Sequence, residues 1–157
     1  PGVISVHRSD PGLMLGYWRD EAQTSAAMRG DWFLTGDVGQ MDSEGYITFL
    51  GRNDDMMNAL GYRVAPEEVE AALIAHPDIQ AAAAVEVRVR SDLSLIAAFI
   101  ECPGEKPSDK VLHAHASGLL ADYKVPKLWR FIDELPRNPN GKLQRRKLRE
   151  AHDVATE

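Results

Sequence analysis

The sequence predicts an α+β chain in two parts: a short β-rich segment over residues 1–53, then a small compact α/β unit over residues 54–157, a sheet with flanking helices. Three observations predict it. The first fifty residues are short runs rich in β-branched and aromatic residues, cut by turn signals, with little helix to cover them. Beyond residue 54, strand-like runs alternate with helix-period segments, the pattern of a compact α/β unit of about 100 residues. One helix start is spelled out in full, with Pro66 at the first position, Glu67 and Glu68 in the first turn, and an apolar stripe behind them.

Residues 2–7 alternate as a strand, Val3 and Ser5 against Ile4 and Val6. Pro11-Gly12 is a turn, and 20–28 reads as a short helix. Residues 32–34 and 36–41 read as two strands. Asp42-Ser43-Glu44-Gly45 forms a hairpin turn, with 46–50 returning. So thin a set of strands is marginal as an independent unit. Residues 56–64 suggest a hairpin around Leu60-Gly61. In the helix opened by Pro66, the residues Val69, Ala72, Leu73 and His76 share one face, and His76-Pro77 ends it. Residues 79–89 and 95–102 are strands. Ser108 caps a helix to about residue 121. Residues 128–132 form a strand, 136–142 a loop, and 143–151 a final helix.

Composition is that of an ordinary globular protein, 44% apolar and 27% charged over 157 residues. No apolar run approaches the roughly 20 residues that span a bilayer. No signal-like start is present. The single Cys102 forms no disulfide within the chain and fits a reducing, cytoplasmic setting; it reads as a strand residue. The chain begins at Pro1, which suggests a piece of something longer. A net charge of −6 argues against a general nucleic-acid binder. The charge is uneven, however. Residues 124–149 hold nine Lys/Arg, half of all the basic residues, against Asp133 and Glu134 alone. A solvated basic helix, or a site for a polyanionic small molecule, accounts for that.

The most informative run is Asn138-Pro139-Asn140-Gly141-Lys142-Leu143-Gln144-Arg145, a tight loop presenting one lysine. Two upstream segments accompany it. One is Trp32-Phe33-Leu34-Thr35-Gly36-Asp37. The other is Gly51-Arg52-Asn53-Asp54-Asp55-Met56-Met57 followed by Gly61-Tyr62-Arg63-Val64-Ala65-Pro66-Glu67-Glu68-Val69-Glu70. Between them and the lysine loop stand Tyr123-Lys124-Val125-Pro126-Lys127 and Phe131-Ile132-Asp133-Glu134-Leu135-Pro136. Singly, each has a plain structural reading: Asp37 in a turn, Arg52 a strand-end cation, Asp54-Asp55 a loop acid pair, Gly61 a hairpin residue, Tyr123 a packed tyrosine. Together and in this order they resemble the closing third of an AMP-forming acyl-CoA synthetase, of the adenylate-forming superfamily that includes carrier-loading adenylation domains and luciferases.

The resemblance implies that residues 1–53 are the last β-rich part of a large N-terminal domain. Residues 54–157 are then a mobile C-terminal domain. It implies that Asp37 and Arg52 bind the ribose of ATP, that Asp54 is the hinge, and that Gly61 lines the pantetheine channel. Tyr123, Lys124 and Lys127 are implied in CoA binding. Lys142 is implied as the catalytic lysine, contacting the reacting carboxylate and the α-phosphate. The implied substrates are ATP with Mg2+, CoA and a fatty or aromatic carboxylic acid. The metal is held mainly through ATP and the N-terminal part; no metal site is expected on this chain.

The chain carries no glycine-rich Ser/Thr phosphate loop and no acyl pocket, so by itself it is expected to be inactive. Lys142 also matches a position where such synthetases are switched off by a lysine acetyltransferase. Three departures from the family pattern stand out: Asn58 replaces a common Lys, Val125 replaces a basic residue, and residues 85–94 lack the usual loop between strands. Two alternatives remain at this level, an adenylation domain that loads a carrier protein and a non-catalytic nucleotide- or CoA-binding module.

Overall fold

The computed structural model describes residues 1–59, 61–90 and 93–154, the side chains of 152–154 excepted. The described residues form two compact units, Pro1–Asp54 and Asp55–Glu157.

The first unit is built on one long strand. β3 (Trp32–Met41) pairs antiparallel with β1 (Gly2–His7), with the two-residue β2 (Met28–Arg29) and with β4 (Ile47–Arg52). Ile4 and Val6 are the half-buried positions of β1, as its alternation predicts. Residues 32–41 are one strand, not two. β1 pairs Val3 with Val38 and Ser5 with Leu34, so Ile4 alone stands opposite Thr35, Gly36 and Asp37. The Thr-Gly-Asp triplet is therefore a bulge, and Gly36 adopts φ +78° there, a conformation that costs a glycine little. Helix α1 (Glu21–Ala26) is capped by Asp20, whose Oδ1 accepts from Gln23 N at 2.8 Å. Met28, read from sequence as the helix end, belongs to β2. Val38 is the one buried hydrophobic side chain described in this unit, while Leu15, Trp18, Ile47 and Phe49 are exposed.

The second unit has a core of its own. β7 (Ala81–Arg90) and β8 (Leu93–Glu101) are antiparallel, and β9 (Leu128–Phe131) joins β8 in parallel. The parallel step requires a crossover, supplied by α3 (Asp109–Leu119) and a 3-10 turn at Asp122–Lys124. Successive side chains on β7 and β8 enter two different cores. Ala82, Ala84, Ala98 and Ile100 pack with Val69, Leu73, Leu112 and Ala116 from α2 (Pro66–Ile74) and α3. Ala83, Val85, Ala97 and Phe99 pack with Leu135 and with Leu148 of α4 (Arg145–Val154). The sheet is thus a middle layer covered on both faces. A small hairpin, β5 (Met57–Ala59) and β6 (Tyr62–Val64), adds Met57 and Val64 to the first core. Residues 85–90 and 93–94, expected from sequence to form an unusual connection, belong to β7 and β8, while residues 60, 91 and 92 lie outside the described residues.

In the second unit, the end of α2 and the start of α4 also differ from the sequence reading. α2 ends at Ile74, so His76 lies beyond it, where its ring meets that of His115 edge-on at 5.0 Å. α4 begins at Arg145, because Gln144 N donates to Pro136 O at 2.7 Å and Leu143 bridges Arg137, which keeps 143–144 in the loop.

Candidate active site

In the first unit the bulge in β3 determines the geometry. Thr35 Oγ1 donates to Ile4 O at 2.8 Å and accepts from Asp37 N at 3.1 Å. Opposite, the register pairs Asp37 with Arg52 of β4. The Arg52 guanidinium donates to Asp37 Oδ1 and to Thr35 O, both at 2.9 Å, and through Nε to Asp54 Oδ1 at 3.2 Å. The bond to Asp37 does most to hold the Arg52 proton above its already high value. Asp37 and Arg52 are therefore in direct contact and half-exposed, one at the bulge of β3 and the other at the end of β4. Such a pair can meet a vicinal diol with one carboxylate and one fork of N–H donors. Asp54 is exposed and is the last residue of this unit.

In the second unit, Gly61 sits in the hairpin turn at φ +88°, and its N–H donates to Asn58 Oδ1 at 3.0 Å. Asn58 N in turn donates to Glu86 Oε2 at 2.8 Å. Asn58 thus closes the turn with its own amide, a role a lysine could not fill. Next to Gly61, the Tyr62 ring stacks on Tyr123. Lys124 donates to Glu68 Oε1, and its Nζ lies 5.6 Å from the Tyr123 ring centroid. Lys127 is exposed, with its backbone N–H tied to Ile96 O at 2.9 Å. Val125 is buried in the first core, so that position packs while its neighbours carry the charge.

Lys142 closes a small hairpin-like loop. Asn138 Oδ1 accepts from both Asn140 N (3.0 Å) and Lys142 N (2.8 Å). Gly141 N donates to Asn138 O and Asn138 N to Lys142 O, with Gly141 at φ +79°. Arg137 Nη1 donates to Gly141 O at 2.9 Å. The loop is rigid by hydrogen bonding, yet Lys142 itself is exposed, and no carboxylate is recorded against it among the described residues. An unpaired ammonium on a rigid loop is suited to meet an anion from outside.

One set of residues is missing from the sequence reading. Arg145, the first residue of α4, places Nη2 2.9 and 2.8 Å from the two oxygens of Glu70, with Nε adding a bond at 3.2 Å. It also reaches Asp55 Oδ2 at 3.3 Å, while Arg149 reaches the other Asp55 oxygen at 3.4 Å. Glu70 Oε1 further accepts from Ala84 N of β7 at 2.9 Å. Burial raises the Glu70 carboxyl pKa, against the pull of Ala84 N–H and Arg145. Two buried polar atoms beside this cluster, Glu67 Oε2 and Gln144 Oε1, have no partner. Each such orphan typically costs about 1–3 kcal/mol. Glu68 and Glu70, two residues apart on α2, lie roughly 200° apart around its axis. One faces Lys124 and the other Arg145.

Among the described residues no group of three His, Cys, Asp or Glu side chains could hold a metal ion. The donor set of the described residues does not fit Mg2+ as a resident metal.

One unit thus carries a carboxylate–guanidinium pair at a strand bulge, and the other a lysine loop beside a covered sheet. Residues 68–142 match the model of the AMP-binding enzyme C-terminal domain, and the relatives that this chain matches over most of its own length are named as acid–CoA ligases. It is 37% identical over 156 residues to an uncharacterized acyl-CoA ligase of Bacillus subtilis, covering 97% of this chain and 30% of that protein. It is 40% identical over 140 residues to the 2-succinylbenzoate–CoA ligase of Geobacillus kaustophilus, covering 88% of this chain and 29% of the relative. Among solved structures, o-succinylbenzoate CoA synthetase of Bacillus subtilis with its acyl-adenylate intermediate superposes with a TM-score of 0.84 at 31% identity, over 94% of this chain and 30% of the other. The chain therefore spans about 30% of the length of these relatives.

Proposed function

We propose that this chain is the C-terminal part of an ATP-dependent, AMP-forming carboxylic acid–CoA ligase. In the first half-reaction a carboxylate oxygen attacks the α-phosphorus of ATP, and pyrophosphate leaves. In the second, the CoA thiol attacks the acyl carbon of the acyl-AMP, and AMP leaves. The observation that carries the reading is Lys142, an exposed ammonium with no ion pair among the described residues, on a loop fixed by Asn138. Charge neutralisation at the phosphoryl centre is the protein's main contribution to such a step. Asp37 and Arg52 hold the ribose, and Asp54 is the hinge. Gly61 lies against the pantetheine arm, and Tyr123, Lys124 and Lys127 bind CoA. Residues 1–53 then close a large N-terminal domain, and 54–157 move as the C-terminal domain between the two half-reactions.

In the full-length ligase, Lys142→Ala should abolish carboxylate-dependent pyrophosphate release and spare thioester formation from supplied acyl-AMP. Removing one preorganised donor costs roughly 2.7–4 kcal/mol, about a hundred- to a thousandfold in rate. Equal loss of both halves would sink the role. This chain alone, with ATP, CoA and a panel of acids, should release no pyrophosphate. The reading extends to a cytoplasmic setting, supported by the lone unpaired Cys102. It extends also to Lys142 as an acetylation target, supported by its exposure, since acetylation would remove its charge.

A further inference from the structure

We propose that Arg145 is the positioning residue that aims Lys142. This rests on the reading of Lys142 as the residue that meets the phosphoryl centre. Lys142 has no side-chain partner among the described residues, so the place of its ammonium is inherited from its backbone. That backbone is anchored at its base, where Gln144 N bonds Pro136 O, and the next residue is Arg145. Arg145 is only 11% exposed and grips Glu70, itself 13% exposed, through a two-pronged contact. Glu70 is at once tied to β7 through Ala84 N–H. One carboxylate therefore joins α2, the sheet and the start of α4, and the lysine loop hangs from that joint.

The same guanidinium holds Asp55, the first residue of the second unit and the neighbour of Asp54. Arg149, one turn further along α4, holds the other oxygen of Asp55. Loop and chain entry are thus bonded to one helix end. A rotation that starts at residue 54 would carry Lys142 as part of a rigid body. The two orphaned polar atoms, Glu67 Oε2 and Gln144 Oε1, lie beside Arg145. Local conflicts of this kind concentrate where function sets the geometry. A reacting group displaced by about 1 Å can lose a hundredfold in rate.

The test uses the full-length ligase carrying this chain, with Arg145→Gln beside Lys142→Ala. Arg145→Gln should lower kcat for carboxylate-dependent pyrophosphate release by about ten- to a hundredfold, leave KM for ATP unchanged, and keep thioester formation from supplied acyl-AMP within about twofold. Amide exchange in the same variant should quicken at Gly141 and Lys142 and stay unchanged at Ala97 and Ala98. Where Arg145→Gln does not fold, Asp55→Asn, which removes only the longer contacts, should show the same pattern more weakly. Equal loss in both half-reactions, or a loosened loop with pyrophosphate release intact, overturns the proposal. If Lys142→Ala itself leaves pyrophosphate release intact, the functional reading fails first, and the aim of the loop has no target.

Discussion

The Tyr62 ring lies against that of Tyr123, with centroids 4.5 Å apart and planes inclined by 28°. Tyr62 therefore occupies one face of Tyr123, and Lys124 Nζ lies 5.6 Å from the centroid of the same ring. An aromatic pair of this kind contributes about 0.5–1.5 kcal/mol beyond its area. Tyr123→Ala should raise KM for CoA up to about tenfold in the thioester half-reaction and leave pyrophosphate release unchanged. An unchanged KM for CoA would remove Tyr123 from the CoA site.

Arg52 serves three acceptors at once: Asp37, Thr35 O and Asp54. A lysine keeps the charge and loses the fork. Arg52→Lys should therefore raise KM for ATP by roughly tenfold, the weight of one charged hydrogen bond. Pyrophosphate release followed against ATP concentration checks this, and an unaltered ATP dependence would contradict the ribose role.

Gly36 and Gly61 both have positive φ, at +78° and +88°, but their surroundings differ. A Cβ at Gly36 would stand 2.7 Å from Arg52 Nη2, 3.0 Å from Cζ and 3.1 Å from Nη1, whereas nothing lies within 4 Å of one at Gly61. Alanine at either site carries a left-handed backbone penalty of about 1–2 kcal/mol. Only Gly36→Ala should also displace the guanidinium and raise KM for ATP. Denaturant midpoints with ATP kinetics separate the two effects.

The Glu68 carboxylate raises the Lys124 pKa. A raised lysine contributes stability that is complete below its unfolded value, about 10.4, and is lost as pH climbs through the folded one. The gap in Tm between this chain and Glu68→Gln should persist across neutral and mildly alkaline pH and close in the strongly alkaline range. It should be small, because Glu68 is about half exposed and such pairs are worth about 0.2–1 kcal/mol. A gap that widened with pH would refute the assignment.

How much of this was legible depended on whether the signal was local. Pro66, Glu67, Glu68 and the Val69–Leu73 stripe announce α2 because each acts within one turn, and Val69, Ala72 and Leu73 are indeed buried. From sequence the bulge at Thr35–Asp37 looks like a break between strands, because Gly36 punctuates a sequence and the partner strand that makes it a bulge lies about thirty residues away, in β1. The two residues of β2 offer no period to read. Arg145 was lost among nine basic residues, because its partners Glu70 and Asp55 stand 75 and 90 positions upstream. The available hint was Glu70, an acid bordering the apolar stripe of α2. Asp37 stands beside Arg52 through the β3–β4 register, which no local pattern spells out, whereas Tyr123 and Lys124 are adjacent in sequence.

The turn that holds Lys142 has a chemical consequence for the lifetime of the protein. Asn140-Gly141 is the dipeptide most prone to cyclise to a succinimide, a reaction in which the glycine nitrogen loses its proton and attacks the asparagine side-chain carbonyl carbon. Here that nitrogen donates its proton to Asn138 O at 2.8 Å. The bond that shapes the loop thus also occupies the nucleophile, and it slows the conversion of Asn140 to an acid one residue away from a neighbour of Lys142.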